Sequence, residues 1–287
     1  MSRPAVLLVA DTSRPATAEV IDDVRAALTA HVDILHELHP SHNDIDTITD
    51  LCSAAAAVVV GGDGTLIGQA TRFVDYGIPL LGVNTGRLGF LAEFDAAALD
   101  EHADVIFGPT PPIQDILVLH ITVCHEDGTQ CADGLAVNDA VITAGPPFRM
   151  LDLSLSINGR AGPTLTGDGL IVATPVGSTA YNISVGGPIV HPSIEAMVLT
   201  PLAAHSLAFR PIVLSGNDEL TLTILRANEG TTILHDGNPN AILARGDRVT
   251  IRPYTKKSRF ILNPGASYWH ILQEKLRWAA PPNYRSR

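Results

Sequence analysis

The chain has 287 residues, 46% hydrophobic and 17% charged, which excludes a disordered chain and leaves room for two domains. Its net charge of −11 belongs to the N-terminal part: residues 1–110 hold 5 Lys and Arg against 16 Asp and Glu, and residues 111–287 hold 14 against 14. That excludes a broad basic surface for nucleic acid, and no apolar run approaches the ~20 residues that span a bilayer.

The first 110 residues alternate two patterns. Strands are expected over 5–10, 32–38, 56–60 and 78–83, with helices over 16–30, 45–52, 66–76 and 95–107. Such alternation predicts a Rossmann-like, doubly wound α/β domain with a parallel sheet, in which ligands sit at the carboxyl edge of the strands. Gly108-Pro109-Thr110-Pro111-Pro112 then breaks the pattern where the charge balance changes, so a boundary is expected between 108 and 109. Beyond it, strand patterns cover 116–124, 134–143, 151–157, 170–173, 219–225, 231–234, 248–253 and 259–262, with Asn158-Gly159 as a hairpin signal. This predicts a β-rich, sandwich-like domain over 109–265, interrupted by a helix around 192–205. A closing helix over 266–278 is expected to return to the first domain, making 266–287 part of it. Cys52, Cys124 and Cys131 form no CxxC pair and leave an odd count, so reduced structural thiols are expected rather than a disulfide framework or a zinc site. Met1-Ser2-Arg3-Pro4 leads into the first strand without a signal-peptide pattern, which predicts a cytoplasmic protein.

The chemistry concentrates in a few loops. Gly61-Gly62-Asp63-Gly64-Thr65 follows an apolar strand and precedes a helical pattern. Glycines permit close backbone approach, so amide groups there can face phosphate near a helix N-terminus. Binding phosphate needs no acid; Asp63 earns its place only by holding Mg²⁺ or by taking a proton from an attacking hydroxyl. A second loop, residues 84–91, combines two glycines, an amide and Arg87, with Phe90 able to pack on a base or ribose or simply to join the core. Asn138-Asp139 interrupts a strand pattern, an amide for an adenine edge beside a carboxylate for ribose hydroxyls, or an edge-strand pair. Residues 167–188 gather Asp168, Thr179, Ala180, Tyr181 and Ser184 with five glycines, a run suited to backbone contact with a ligand and stacking by Tyr181. His235-Asp236-Gly237 forms a ligand-facing turn or a hairpin. The eleven histidines show no HExxH-type spacing, and no side chain is assigned to a metal. Neither GxSxG nor GxxxxGK[ST] occurs, which disfavours hydrolase and P-loop readings.

In order, GGDGT at 61–65, NTGRLGFL at 84–91, ND at 138–139, GDG and TPVGSTAY within 167–181, GGPIVHPSIEAM at 186–197 and DG at 236–237 resemble the NAD kinase family. The resemblance runs from about residue 56 to 240. The glycine–Asp motif is shared with phosphofructokinases and diacylglycerol-type lipid kinases; TPVGSTAY and the motif order are far more specific. The resemblance implies transfer of the γ-phosphoryl group of ATP to the 2′-hydroxyl of the adenosine ribose of NAD, giving NADP, with Mg²⁺ or another divalent cation; ATP versus polyphosphate as donor stays open. It implies that Asp63 is the base and that Gly62, Gly64 and Thr65 face phosphates. It further implies that Phe90 and Leu91 wall the adenosine pocket, that Asn138 and Asp139 hold the ribose, and that Thr179, Ala180, Tyr181, Ser184 and Asp236 line the dinucleotide site. Asp168 matches a residue reaching a neighbouring subunit's ligand, so a homodimer or homotetramer is implied. Val176 stands where Thr is usual, Asn238 where Gln is common, and Asp139 where Glu is frequent. Two other readings stay open at this point: a lipid or sugar kinase sharing the GGDGT loop, and a non-catalytic dinucleotide sensor.

Overall fold

The computed structural model describes residues 3–41, 45–48, 50–86 and 89–280. They form two compact units, one of residues up to Gln114 together with those from Arg259 onward, the other Asp115–Ser258.

The first unit is the expected parallel α/β layer. Strands β1 (Ala5–Ala10), β2 (Asp33–Leu38), β3 (Ala56–Val60), β4 (Leu80–Val83) and β5 (Ile113–Ile116) lie in a six-stranded sheet. The strand Ser258–Ile261 enters it late in the chain, between β4 and β5, so that Phe260 faces Leu80. Residues 259–262 were expected in the β-rich domain; their place here is a correction, since a short apolar run does not reveal which sheet it joins. β3 is buried at every position, as a strand covered on both faces must be. Helix α1 (Pro15–His31) starts with Pro at its first turn and buries Ile21, Val24 and Leu28 against the sheet. The expected helix over 45–52 is instead two 3₁₀ turns, Ile45–Thr47 and Leu51–Ser53. Its Ile, Asp and Thr residues are poor helix formers, and among the described residues of the segment Ile45 and Leu51 are buried. The expected helix over 95–107 is broken at His102 into Ala96–Glu101 and Ala103–Ile106, both halves burying apolar side chains. The closing helix spans Tyr268–Leu276. Residues 281–287 and the pair Arg87-Leu88 lie outside the described residues.

The second unit is a sandwich of two six-stranded sheets. One contains β6 (Leu119–Cys124), β7 (Gln130–Ala136), β9 (Leu151–Ile157), β10 (Arg160–Gly167), β14 (Leu220–Arg226) and β17 (Arg248–Pro253). The other contains β8 (Asp139–Thr143), β11 (Gly169–Ala173), β12 (Ala196–Leu202), β13 (Ile212–Ser215), β15 (Thr232–His235) and β16 (Asn238–Ile242). Alternating residues such as Leu151, Leu153 and Leu155 interdigitate with Ile142, Leu170, Met197 and Leu199 of the facing sheet in one core.

Two expectations fail here for physical reasons. The segment expected to be helical around 192–205 contains β12, buried on both faces, with Met197 and Leu199 in the main core and Val198 and Leu202 in an apolar cluster on the other side. A continuous apolar run cannot be told from a buried helix by periodicity. The strand pattern over 134–143 is two strands, because the chain leaves one sheet after Ala136 and enters the other at Asp139. Strand β10, which sequence reading missed, carries Pro163 and is tolerated because it lies at a sheet edge. The cysteines are free, but Cys52 and Cys131 are exposed rather than packed as structural thiols.

Candidate active site

In the first unit, Gly61-Gly62 ends β3, and helix α2 (Asp63–Phe73) begins directly with Asp63. The helix thus starts three residues earlier than expected; the Thr65 and Leu66 amides bond the Gly62 carbonyl, and those of Asp63 and Gly64 open on the glycine turn. Asp63 is half-buried, whereas Gly62 and Gly64 are exposed. Its carboxylate is not left to solvent. Oδ2 accepts from the Phe90 amide at 2.8 Å, and Oδ1 accepts from the amides of Leu91 and Ala92, both at 3.0 Å. Gly89 makes this possible, since a Cβ there would stand 2.1 Å from Asp63 Oδ1. Asn84 fixes the other end of the loop, donating from Nδ2 to the Phe94 carbonyl and accepting from the Gly86 amide. Phe90 and Leu91, expected to act through their side chains, therefore also act through their main chain, as a cradle for the acid.

Glu93 follows this cradle and was not singled out by its sequence. The Asn263 amide donates to its Oε2 at 3.0 Å, yet burial holds its carboxyl above the usual range and the Asp63 charge adds to the effect. A cluster of three or more His, Cys, Asp or Glu side chains able to hold a metal ion does not occur among the described residues.

In the second unit, the crossing from β7 to β8 places Asn138 and Asp139 in the wall of a cavity of about 470 Å³. Ala180, Tyr181, Asp236 and Gly237 line it with them, and Val141, Thr143 and Leu234 complete the wall. Asp139, Val141 and Thr143 share one face of β8 by the two-residue period of a strand, which is the signal that could have found the last two. Asp139 is only 4% exposed, and its carboxyl makes no hydrogen bond among the described residues. Burial, together with the neighbouring Asp236 charge, pushes it up to about 7. Asp236 is raised too, by burial, against the pull of three main-chain amides.

The TPVGSTAY run divides its labour. Thr174 Oγ1 donates to the Val137 carbonyl and accepts from the Gly177 amide, and the Thr174 amide donates to the Asn138 carbonyl. Gly177 lies against the same peptide, where a Cβ would come within 1.9 Å of the Asn138 oxygen. Ser178 is fully buried and bonds Pro175 and Val190, while Asn182 bridges Ser178, Pro188 and Thr200. These residues hold the loop so that Ala180 and the half-exposed Tyr181 line the cavity. Thr179 and Ser184 line neither this cavity nor its neighbour; the Thr179 hydroxyl donates to the Val176 carbonyl, and Ser184 is exposed at the end of a one-turn helix. Asp168 lies on the second recess, about 570 Å³, which shares Thr143 and Tyr181 with the first.

A glycine–Asp turn at the carboxyl edge of a parallel sheet, in a chain whose β sandwich carries a recess lined by acid, amide and aromatic groups, defines a nucleotide-binding α/β protein. Residues 20–109 match the ATP-NAD kinase N-terminal domain, and residues 137–262 match the ATP-NAD kinase C-terminal domain. An NAD kinase of Delftia acidovorans is 37% identical over 94% of this chain and 88% of its own, and one of Magnetococcus marinus is 34% identical over 89% and 84%. Among solved structures, yeast NADH kinase complexed with NADH superposes with a TM-score of 0.83 at 22% identity, covering 99% of this chain and 89% of that one. An Archaeoglobus fulgidus NAD kinase in complex with ATP gives 0.72 at 23%, covering 96% and 98%. The chain belongs to the NAD kinase family.

Proposed function

We propose that this chain transfers the γ-phosphoryl group of ATP to the 2′-hydroxyl of the adenosine ribose of NAD, releasing NADP and ADP. The observation that carries the reading is the buried Asp139 carboxyl, without a hydrogen bond among the described residues, beside Asn138 in a recess also lined by Tyr181, within a chain matched to the family over both units. In this reading Asn138 and Asp139 hold the ribose hydroxyls, and Ala180 and Tyr181 pack on the nucleoside. Thr179, Ser184 and Asp236 complete the dinucleotide site or support it, and Phe90 and Leu91 wall the adenosine end. A lipid or sugar kinase is not favoured, because the family match extends through the second unit, where a shared GGDGT loop alone would give none.

Asp63 serves as the general base. Its Oδ2 accepts a single amide and keeps a lone pair for the hydroxyl proton, while Oδ1 is committed to two amides. Gly62, Gly64 and Thr65 present the turn and the helix N-terminus to phosphate. The carboxylates of Asp63 and Glu93 are engaged by main-chain amides and form no cage among the described residues, so a divalent cation would be brought in with the donor. When bound, magnesium would supply neutralisation of the phosphate charge, beside the Asp63 and Glu93 carboxylates. The protein works in the cytoplasm as a homodimer or homotetramer, with exposed Asp168 reaching a neighbouring copy's ligand.

The test is direct. Purified protein with Mg²⁺, ATP and NAD is assayed for NADP through an NADP-specific dehydrogenase, then again with polyphosphate as donor and with NADH as acceptor. Tight NAD binding without any NADP under every donor would replace this reading with a dinucleotide sensor.

A further inference from the structure

The turn at Asp236 does more than line the recess. Asp236 lies in the left-handed region, φ 48°, at the tip between β15 and β16. Its carboxylate accepts from three consecutive main-chain amides in the crossing from β7 to β8: Val137 at 2.9 Å to Oδ2 and 3.1 Å to Oδ1, Asn138 at 2.6 Å and Asp139 at 3.1 Å, both to Oδ1. Its own amide donates to the Asp139 carbonyl at 2.9 Å. The chain at 137–139 has left one sheet and barely entered the other, so few ladder bonds hold it there. Asp236 supplies the missing acceptors, and Thr174 binds the same crossing from the opposite side through the Val137 and Asn138 carbonyls.

We infer that Asp236 is a positioning residue for the acceptor substrate: it sets the main chain of 137–139, and through it the aim of the Asn138 and Asp139 side chains. This rests on the reading that Asn138 and Asp139 hold the ribose of NAD. A carboxylate is required because three amides converge on it, and Oδ1 alone receives three of the bonds. An Asn at the position keeps one acceptor oxygen and turns an amide group toward a donor; an Ala keeps none.

The experiment compares Asp236→Ala and Asp236→Asn with the full-length wild type in three measurements. Hydrogen exchange of the apo protein is expected to show the 137–139 amides exchanging at least ~10-fold faster in Asp236→Ala, with β9 unchanged. NAD affinity, measured without a donor, and KM for NAD are expected to weaken ~10-fold or more in Asp236→Ala, with Asp236→Asn intermediate and KM for ATP unchanged. Unchanged exchange at 137–139 overturns the inference whatever the protein's reaction, because it needs no substrate. Faster exchange with unchanged NAD affinity and KM overturns the link to the acceptor site. A wild type that exchanges as expected yet makes no NADP overturns the kinase reading and leaves the positioning of 137–139 standing. Should Asp236→Ala fail to fold, Asp236→Asn alone decides, a wild-type NAD KM and wild-type exchange counting against the inference.

Discussion

The Asp63 carboxylate is tied through Oδ1 to the main-chain amide of Leu91, 28 residues along the chain, at 3.0 Å. One acid therefore both opens helix α2 and closes the loop that follows β4. If it also removes the proton from the acceptor hydroxyl, Asp63→Asn lowers kcat by ~10²–10⁴-fold while NAD still binds. Pre-steady-state and equilibrium binding measurements separate the two. A kcat within a factor of a few of wild type would remove Asp63 from the chemistry and leave it as a loop clip.

Gly89→Ala probes the same contact from the other side. The added Cβ would meet Asp63 Oδ1 at 2.1 Å and the Ala92 amide at 3.1 Å, so the loop must shift. We expect ~1–3 kcal/mol of destabilisation in urea unfolding and a fall in kcat larger than any change in KM for NAD. Wild-type kinetics in a variant of unchanged stability would mean that the cradle around Asp63 is not needed.

Asp139 makes stability depend on pH in a direction opposite to most surface carboxylates. Its folded value of about 7 lies above the ~3.9 of an unfolded chain, so between roughly pH 4 and 7 the folded protein keeps a proton that the unfolded chain has lost. The contribution is greatest below the unfolded value and is lost as pH rises through the folded one, at no more than ~1.4 kcal/mol per pH unit. Asp236 faces the same carboxyl and pushes it up, while burial lowers the His235 imidazole on β15, which acts with the opposite sign in acid. Comparing Asp139→Asn with wild type isolates the one group: the variant is expected to lose the slope between pH 5 and 7 and to be the more stable protein at pH 8. Parallel stability curves would show that Asp139 is ionised across this range.

Tyr181→Ala removes the half-exposed ring shared by the two recesses. Fluorescence titration with NAD is expected to give an affinity weaker by ~10-fold, in keeping with loss of a stacking contact. The variant should unfold at the wild-type denaturant midpoint, since the ring is not part of the core.

Much of this was legible in the chain. The strand-and-helix alternation before residue 110 and the alternating polar and apolar strands after it named both layers, because each pattern follows the period of its own element. Asp63, Asn138, Asp139 and Tyr181 stood out as polar or aromatic groups in glycine turns or inside apolar runs. What did not show was the role of the main chain. Nothing in the sequence told that Asp63 and Asp236 each gather three consecutive amides from a loop far along the chain, since hydrogen bonds to backbone leave no residue signature. The double strand hidden in 134–143 was equally silent, a change of sheet needing only a local turn of the backbone at Val137-Asn138. The strand β12 was misread because both of its faces are apolar.

The place of Ser258–Ile261 bears on how the protein is made. This strand lies between β4 and β5, yet it is synthesised after the whole of the sandwich, so the first sheet has a gap beside its β5 edge while the ribosome completes about half of the chain. The sandwich, whose twelve strands all lie in 115–258, has no such wait and can close first. The domain that begins the sequence is then the one that finishes folding last, and a nascent chain stopped short of residue 258 carries a complete β sandwich beside an α/β sheet that still lacks an inner strand.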